Sequence, residues 1–196
     1  LILLVIGGTI FDVLHKKSAE YFSKNMARAK DNATRKVSGG EKVSIAIKTA
    51  VVDVATSGEF CNPKRRIAHL LTMYGFILFA VTTAIMIFGL LDSAILPVLW
   101  HVGALMLCLG GYWFWFFIRV DVAAEGNPCY RVVRAVMFIL SLLGSATFAL
   151  IWSDLQAGGS AWTKVFFHLF TIATTVLFAT VPWSKFAHMF FKPAAA

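Results

Sequence analysis

Residues 67–91 read IAHLLTMYGFILFAVTTAIMIFGLL. The run holds no Asp, Glu, Lys or Arg. It is longer than the about 20 apolar residues that carry a helix across a bilayer's hydrocarbon. Similar runs follow at 95–118, 132–152 and 162–181. Their apolar residues are continuous rather than alternating, which favours membrane helices over barrel strands. The whole chain is 59% hydrophobic, with a mean hydropathy of +0.75. Soluble domains stay near about half apolar, so the excess must face lipid or a partner. The fold expected is an all-α, polytopic transmembrane helix bundle of five spans, the first at residues 1–14. That first run is short and begins with Leu1. It is expected to be the end of a helix that starts upstream. A cleaved signal peptide fits less well, for want of a charged start and a small-residue cleavage site.

The net charge is +8. In a soluble domain this would point to nucleic acid, but its distribution along the chain gives another reading, without nucleic acid. Residues 15–66 carry twelve Lys or Arg, residues 119–134 three, and the C-terminal end Lys185 and Lys192. The two remaining loops hold only Lys164. The positive-inside rule therefore predicts a cytoplasmic 15–66 loop and C-terminus in a prokaryotic inner membrane. The expected organisation is the end of a first span (1–14), a basic cytoplasmic loop with amphipathic helices (15–66) and a four-helix membrane domain (67–192).

The loop is too long for a plain connection. Residues 17–30 suit a polar helix, and Ser38-Gly39-Gly40 punctuates the chain. Residues 41–56 then set Val43, Ile47, Ala50, Val51 and Val54 on one helical face. Such a helix suits either the membrane interface or the docking of a soluble partner.

Cys61, Cys108 and Cys129 form no C-x-x-C pair. Three thiols neither ligate a four-cysteine iron–sulfur cluster nor build a disulfide framework.

Four of the five histidines lie in or beside spans, where ionisable groups are costly and point to function. His69 and His188 sit near the inner ends of their spans, His101 and His168 near the outer ends. Two depth-matched pairs drawn from different spans are what two stacked bis-histidine b-type haems require, an inner His69/His188 pair and an outer His101/His168 pair. His168 and His188 stand about 30 Å apart along an unbroken helix and about 200° apart around it, though Pro182 disturbs that angle. His101, Ala104, Cys108 and Gly111 share one face, and their small side chains offer either a porphyrin groove or a close helix contact. His15, three residues after Asp12, reads as an interfacial or surface residue.

The stretch Glu59-Phe60-Cys61-Asn62-Pro63-Lys64-Arg65-Arg66-Ile67-Ala68-His69-Leu70-Leu71-Thr72-Met73-Tyr74-Gly75-Phe76 resembles the start of the membrane domain of quinone-interacting membrane-bound oxidoreductase. Phe167-His168-Leu169, with Val181-Pro182-Trp183-Ser184-Lys185-Phe186-Ala187-His188-Met189, resembles the last span of the nitrate reductase gamma-like cytochrome b superfamily. The length and the opening Gly7-Gly8-Thr9-Ile10-Phe11-Asp12 are similar to the membrane anchor of adenylylsulfate reductase. The resemblance covers most of residues 57–192. It implies a b-type cytochrome exchanging electrons between a cytoplasmic iron–sulfur/flavin partner and a quinone, with His69, His168 and His188 at ligand positions. Larger relatives carry a ferredoxin-like domain whose cysteines are absent here, so a separate subunit would supply those centres.

A quinone site needs a cleft beside a haem and a proton-exchanging group. Asp92, Trp100, Asp154, Trp162 and Lys164 are available on the outer side. Asp12, Tyr74, Trp183, Ser184 and Lys185 are available on the inner side. Each also has a plain reading as a belt or snorkelling residue, as does the aromatic run 112–117. Two rival functions remain. One is a haem-free anchor for a cytoplasmic reductase. The other is a transporter or channel, which the near-absence of charge within the spans beyond their edges, and the absence of evident broken half-helices, disfavour.

Overall fold

The computed structural model describes residues 3, 6–8, 10, 24–28, 31–32, 38–58, 60, 62–118 and 134–180. Its regular elements are α1 (Gly39–Lys48), continued by a π-helical stretch Thr49–Ala55; α2 (Pro63–Phe88); α3 (Ile95–Trp113), continued by a π-helical stretch Phe114–Ile118; α4 (Arg134–Ala157); and α5 (Thr163–Thr180). There is no strand among the described residues. Among the described residues, four helices are long and apolar enough to cross a membrane: Pro63–Phe88, Ile95–Ile118, Met137–Ala157 and Thr163–Thr180. The protein is a multi-pass helical membrane protein. Most of the expected first span at 1–14 lies outside the described residues. Within it Leu3, Ile6, Gly7, Gly8 and Ile10 are helical.

Helix ends differ from the hydropathy boundaries because local chemistry, not lipid, sets them. α2 starts at Pro63, ahead of the apolar run. The Asn62 side chain accepts from the Lys64 and Arg65 N–H groups at 3.0 and 3.4 Å, and proline at N1 has no N–H to leave unpaired. α2 stops at Gly89, whose φ of 60° is left-handed. The N–H of Leu90 reaches the Ile85 carbonyl and that of Gly89 the Met86 carbonyl. That is a Schellman stop. The same pair of bonds closes α4 at Gly159, from Ser160 to Leu155 and from Gly159 to Gln156, so α4 runs on to Ala157 rather than ending at 152. Asn62→Ala should cost about 1 kcal/mol, read as an earlier thermal midpoint in detergent.

The chain divides into two units, residues 1–59 with 178–196, and residues 60–177. In the first, Ser38 caps α1, its Oγ accepting from the Glu41 N–H at 3.3 Å. In the second, α2 and α3 form an antiparallel pair with backbones in contact. A Cβ on Gly75 would lie 2.5 Å from the Leu107 nitrogen, and one on Gly103 would lie 2.7 Å from the Phe79 nitrogen. One on Gly110 would lie 2.7 Å from the Ala68 carbonyl oxygen. Lipid is as apolar as leucine, so membrane helices gain by close packing, which glycine permits. The Trp100 indole N–H donates across this seam to Thr83 Oγ1 at 2.9 Å. α4 runs antiparallel to α3, with Leu143 against Gly111. α5 returns beside α4, with Ser145 Oγ and Thr174 Oγ1 3.1 Å apart. Two buried clusters fill the interior. One is Leu107, Leu142, Leu143, Ala146 and Leu177; the other is Phe79, Trp100, Ala104 and Ala149.

Candidate functional site

His101 belongs to the second turn of α3. Its Nδ1 lies 2.6 Å from the Pro97 carbonyl oxygen. A carbonyl only accepts, so Nδ1 carries the proton. Nε2 of the neutral ring is then an acceptor, and Ser153 of α4 donates to it from 3.0 Å. The ring meets Trp100 edge-on, with centroids 4.9 Å apart. Donation from one ring nitrogen to a backbone carbonyl is the usual way a ligating histidine is oriented. The other nitrogen would be free for iron only once the Ser153 hydroxyl turns away.

His168 offers the contrast. It lies in the second turn of α5, antiparallel to α4, and is exposed. Its ring contact is with the neighbouring Phe167 at 6.0 Å, and among the described residues no hydrogen bond to it is seen. His69 is half-buried in the second turn of α2, its ring 4.9 Å from that of Phe60. His188 lies outside the described residues, and so does the inner His69/His188 pairing.

His101 and His168 share one end of the unit, because α3 and α5 both start there. Between their helices stand α4 side chains. Trp152 stacks on Phe170 with planes 7° apart and lies 5.3 Å from Phe167. It also meets Trp100 edge-on at 6.5 Å. The chain therefore brings the outer pair to one level without bringing their rings into contact. Among the described residues no group of three or more His, Cys, Asp or Glu is placed to hold a metal. A bis-imidazole haem site does not need one, since the porphyrin supplies the remaining four nitrogens.

The face His101, Ala104, Cys108, Gly111 is not an open groove. α4 covers it: Ser153 bonds His101, Ala149 clusters with Ala104, Thr147 lies 3.7 Å from the Cys108 sulfur, and Leu143 abuts Gly111. The small residues here admit a neighbouring helix. Sequence reasoning missed Ser153, Thr147 and Thr83, all of which bond across helices. Their only signal was that hydroxyl side chains within spans pair across helices.

Of the quinone candidates, Trp100 is buried and its N–H engaged. Asp92, Asp154 and Lys164 are exposed, and Trp162 is 63% exposed. Asp12, Trp183, Ser184 and Lys185 lie outside the described residues. Tyr74 is exposed on α2. A shallow apolar groove of about 320 Å³ runs along α3 and its π-helical end, between Leu105, Cys108, Leu109, Tyr112, Trp113, Phe116 and Phe117. Its polar edge is the Tyr112 hydroxyl, 2.8 Å from Thr147 Oγ1. No family model, curated protein or solved structure matches the chain.

Proposed function

We propose that the protein is a membrane-embedded di-haem b-type cytochrome subunit. It passes electrons between a cytoplasmic iron–sulfur/flavin partner, such as adenylylsulfate reductase or a heterodisulfide-reductase-like complex, and the quinone pool. The observation that carries the reading is His168, an exposed imidazole on a spanning helix, with no hydrogen bond to it among the described residues. A polar group left bare at membrane depth is costly, and an iron ligand bond relieves that cost. His101 at the same level already has its Nδ1–H committed to Pro97, which leaves Nε2 as its ligating atom. Haem bound at these positions would supply one-electron transfer; the chain supplies the imidazoles, their orientation and a dry surrounding of Trp100, Trp152 and Phe170. The basic 15–66 loop suits the cytoplasmic side of a prokaryotic inner membrane and an acidic partner surface.

A second reading, a haem-free anchor, is favoured by the Ser153–His101 bond, which satisfies both nitrogens of that ring within the chain. A reduced-minus-oxidised visible spectrum of protein purified after haem-replete expression separates the two readings. The cytochrome gives α and Soret bands, and the anchor is colourless. Ser153→Ala separates them again. In the cytochrome it leaves haem content unchanged. In the anchor it strands Nε2 and lowers stability by about 1–3 kcal/mol.

A further inference from the structure

Between α3 and α4 three polar groups meet with one hydrogen to spare. The Tyr112 and Thr147 hydroxyl oxygens lie 2.8 Å apart, and the Cys108 sulfur lies 3.7 Å from the same threonine oxygen. Among the described residues none of the three side chains makes another hydrogen bond. Each carries one hydrogen, and two contacts use at most two of them. The cluster lies deep. Thr147 stands at the midpoint of the spanning stretch Met137–Ala157, so the Tyr112 hydroxyl that reaches it is in hydrocarbon, where an unused donor is costly. Hydroxyls rotate to suit their partners. Thr147 can donate to the phenol oxygen while Tyr112 donates outward.

Outward lies the apolar groove of about 320 Å³ along α3. Tyr112 and Phe116 set two near-parallel rings there, their planes 17° apart and centroids 6.1 Å apart. Trp113 and Phe117 add further flat faces. The occupant these features suit is lipid-soluble, flat and carbonyl-bearing. The volume is at the small end of the about 300–1,000 Å³ found for ligand pockets, so the groove takes a ring and leaves a long tail in lipid. It is also level with His69, because Gly110 of α3 lies against Ala68 of α2.

We propose that this groove holds the head group of a quinone, with the Tyr112 hydroxyl donating to a ring carbonyl and Thr147 supporting the phenol oxygen. The choice of a quinone among flat carbonyl compounds rests on the cytochrome reading.

The test uses the full chain in nanodiscs. Azido derivatives of a short-chain benzoquinone and a short-chain naphthoquinone are photolysed with it, and labelled peptides are mapped by mass spectrometry. Label should fall within residues 105–117 and be suppressed by excess parent quinone. Leu109 lines the groove and is 65% exposed, so Leu109→Trp fills the space and should abolish this label. Tyr112→Phe keeps the ring and should raise the half-saturating quinone concentration about tenfold, the worth of one hydrogen bond. Label elsewhere, persistence of label in Leu109→Trp, or unchanged saturation in Tyr112→Phe overturns the site. So does label at 105–117 that excess quinone leaves in place, which would give the groove to lipid. Haem counted in the same samples keeps the two readings apart. Two haems without saturable label sink the quinone site alone, and saturable label in haem-free protein sinks the cytochrome reading alone. Retained helical circular dichroism in each variant ensures that lost label reports on the groove rather than on unfolding.

Discussion

On the cytochrome reading, His101→Ala should lower the haem content of the purified protein from two per chain to one, with His69→Ala doing the same separately. Bound haem is counted as its pyridine haemochrome. The reasoning is geometric. His101 and His168 share the end where α3 and α5 begin, while His69 lies in the second turn of α2, which starts at the opposite end because α2 and α3 are antiparallel. A histidine lost at one level leaves the other level its two ligands. His168→Ala should then match His101→Ala in spectrum and in remaining haem, because the same iron is left with one imidazole. Loss of both haems from either variant, or of neither, would contradict this pairing. A wild-type protein without a Soret band would remove the cytochrome reading altogether and leave the anchor.

The second large effect is expected at the α2–α3 seam. Gly75→Leu should abolish the folded state in detergent, and Gly75→Ala should already cost about 1–3 kcal/mol. A Cβ at this position would meet the Leu107 nitrogen at 2.5 Å, the Gly103 oxygen at 2.9 Å and the Leu107 Cα at 3.0 Å. All three are backbone atoms, and no rotamer change moves them aside. The helices must separate instead, losing short-range dispersion along the whole seam. Gly144→Ala is the matched control. Its Cβ would find the Phe148 ring at 3.7 Å and the Ala173 Cβ at 3.8 Å, ordinary contact distances. There the gain in helix propensity, up to about 1 kcal/mol, should dominate. Thermal unfolding of both alanine variants in one detergent should therefore give midpoints moved in opposite directions. A Gly75→Ala protein as stable as the parent would mean that the seam is looser than described.

Much of the architecture was legible in the chain because burial in lipid is a one-dimensional property. Runs such as 67–91 and 95–118 need no knowledge of neighbours to be recognised as spans, and both appear as helices. The amphipathic stretch 41–56 was equally visible, since Val43, Ile47 and Val51 recur at helical spacing. The ends were harder to read. Hydropathy puts the start of α2 at 67, whereas the Asn62–Pro63 cap sets it at Pro63, because a helix terminus is decided by its unpaired N–H groups. The histidines were legible as unusual, but not their surroundings. Nothing in the spacing of 101 and 153 reveals that a serine on another helix meets the imidazole.

The linear order of residues determined that this protein crosses a membrane several times as helices, and where its positive charge gathers. Both depend on the contact of single segments with solvent or lipid. Only the folded arrangement decided that the small-residue face of α3 is filled by α4. It also decided that His101 has both nitrogens engaged while, among the described residues, no hydrogen bond reaches His168. Those outcomes depend on which faces of separate helices meet, and the meeting is governed by glycine-to-backbone distances and cross-helix hydroxyls that no local pattern encodes.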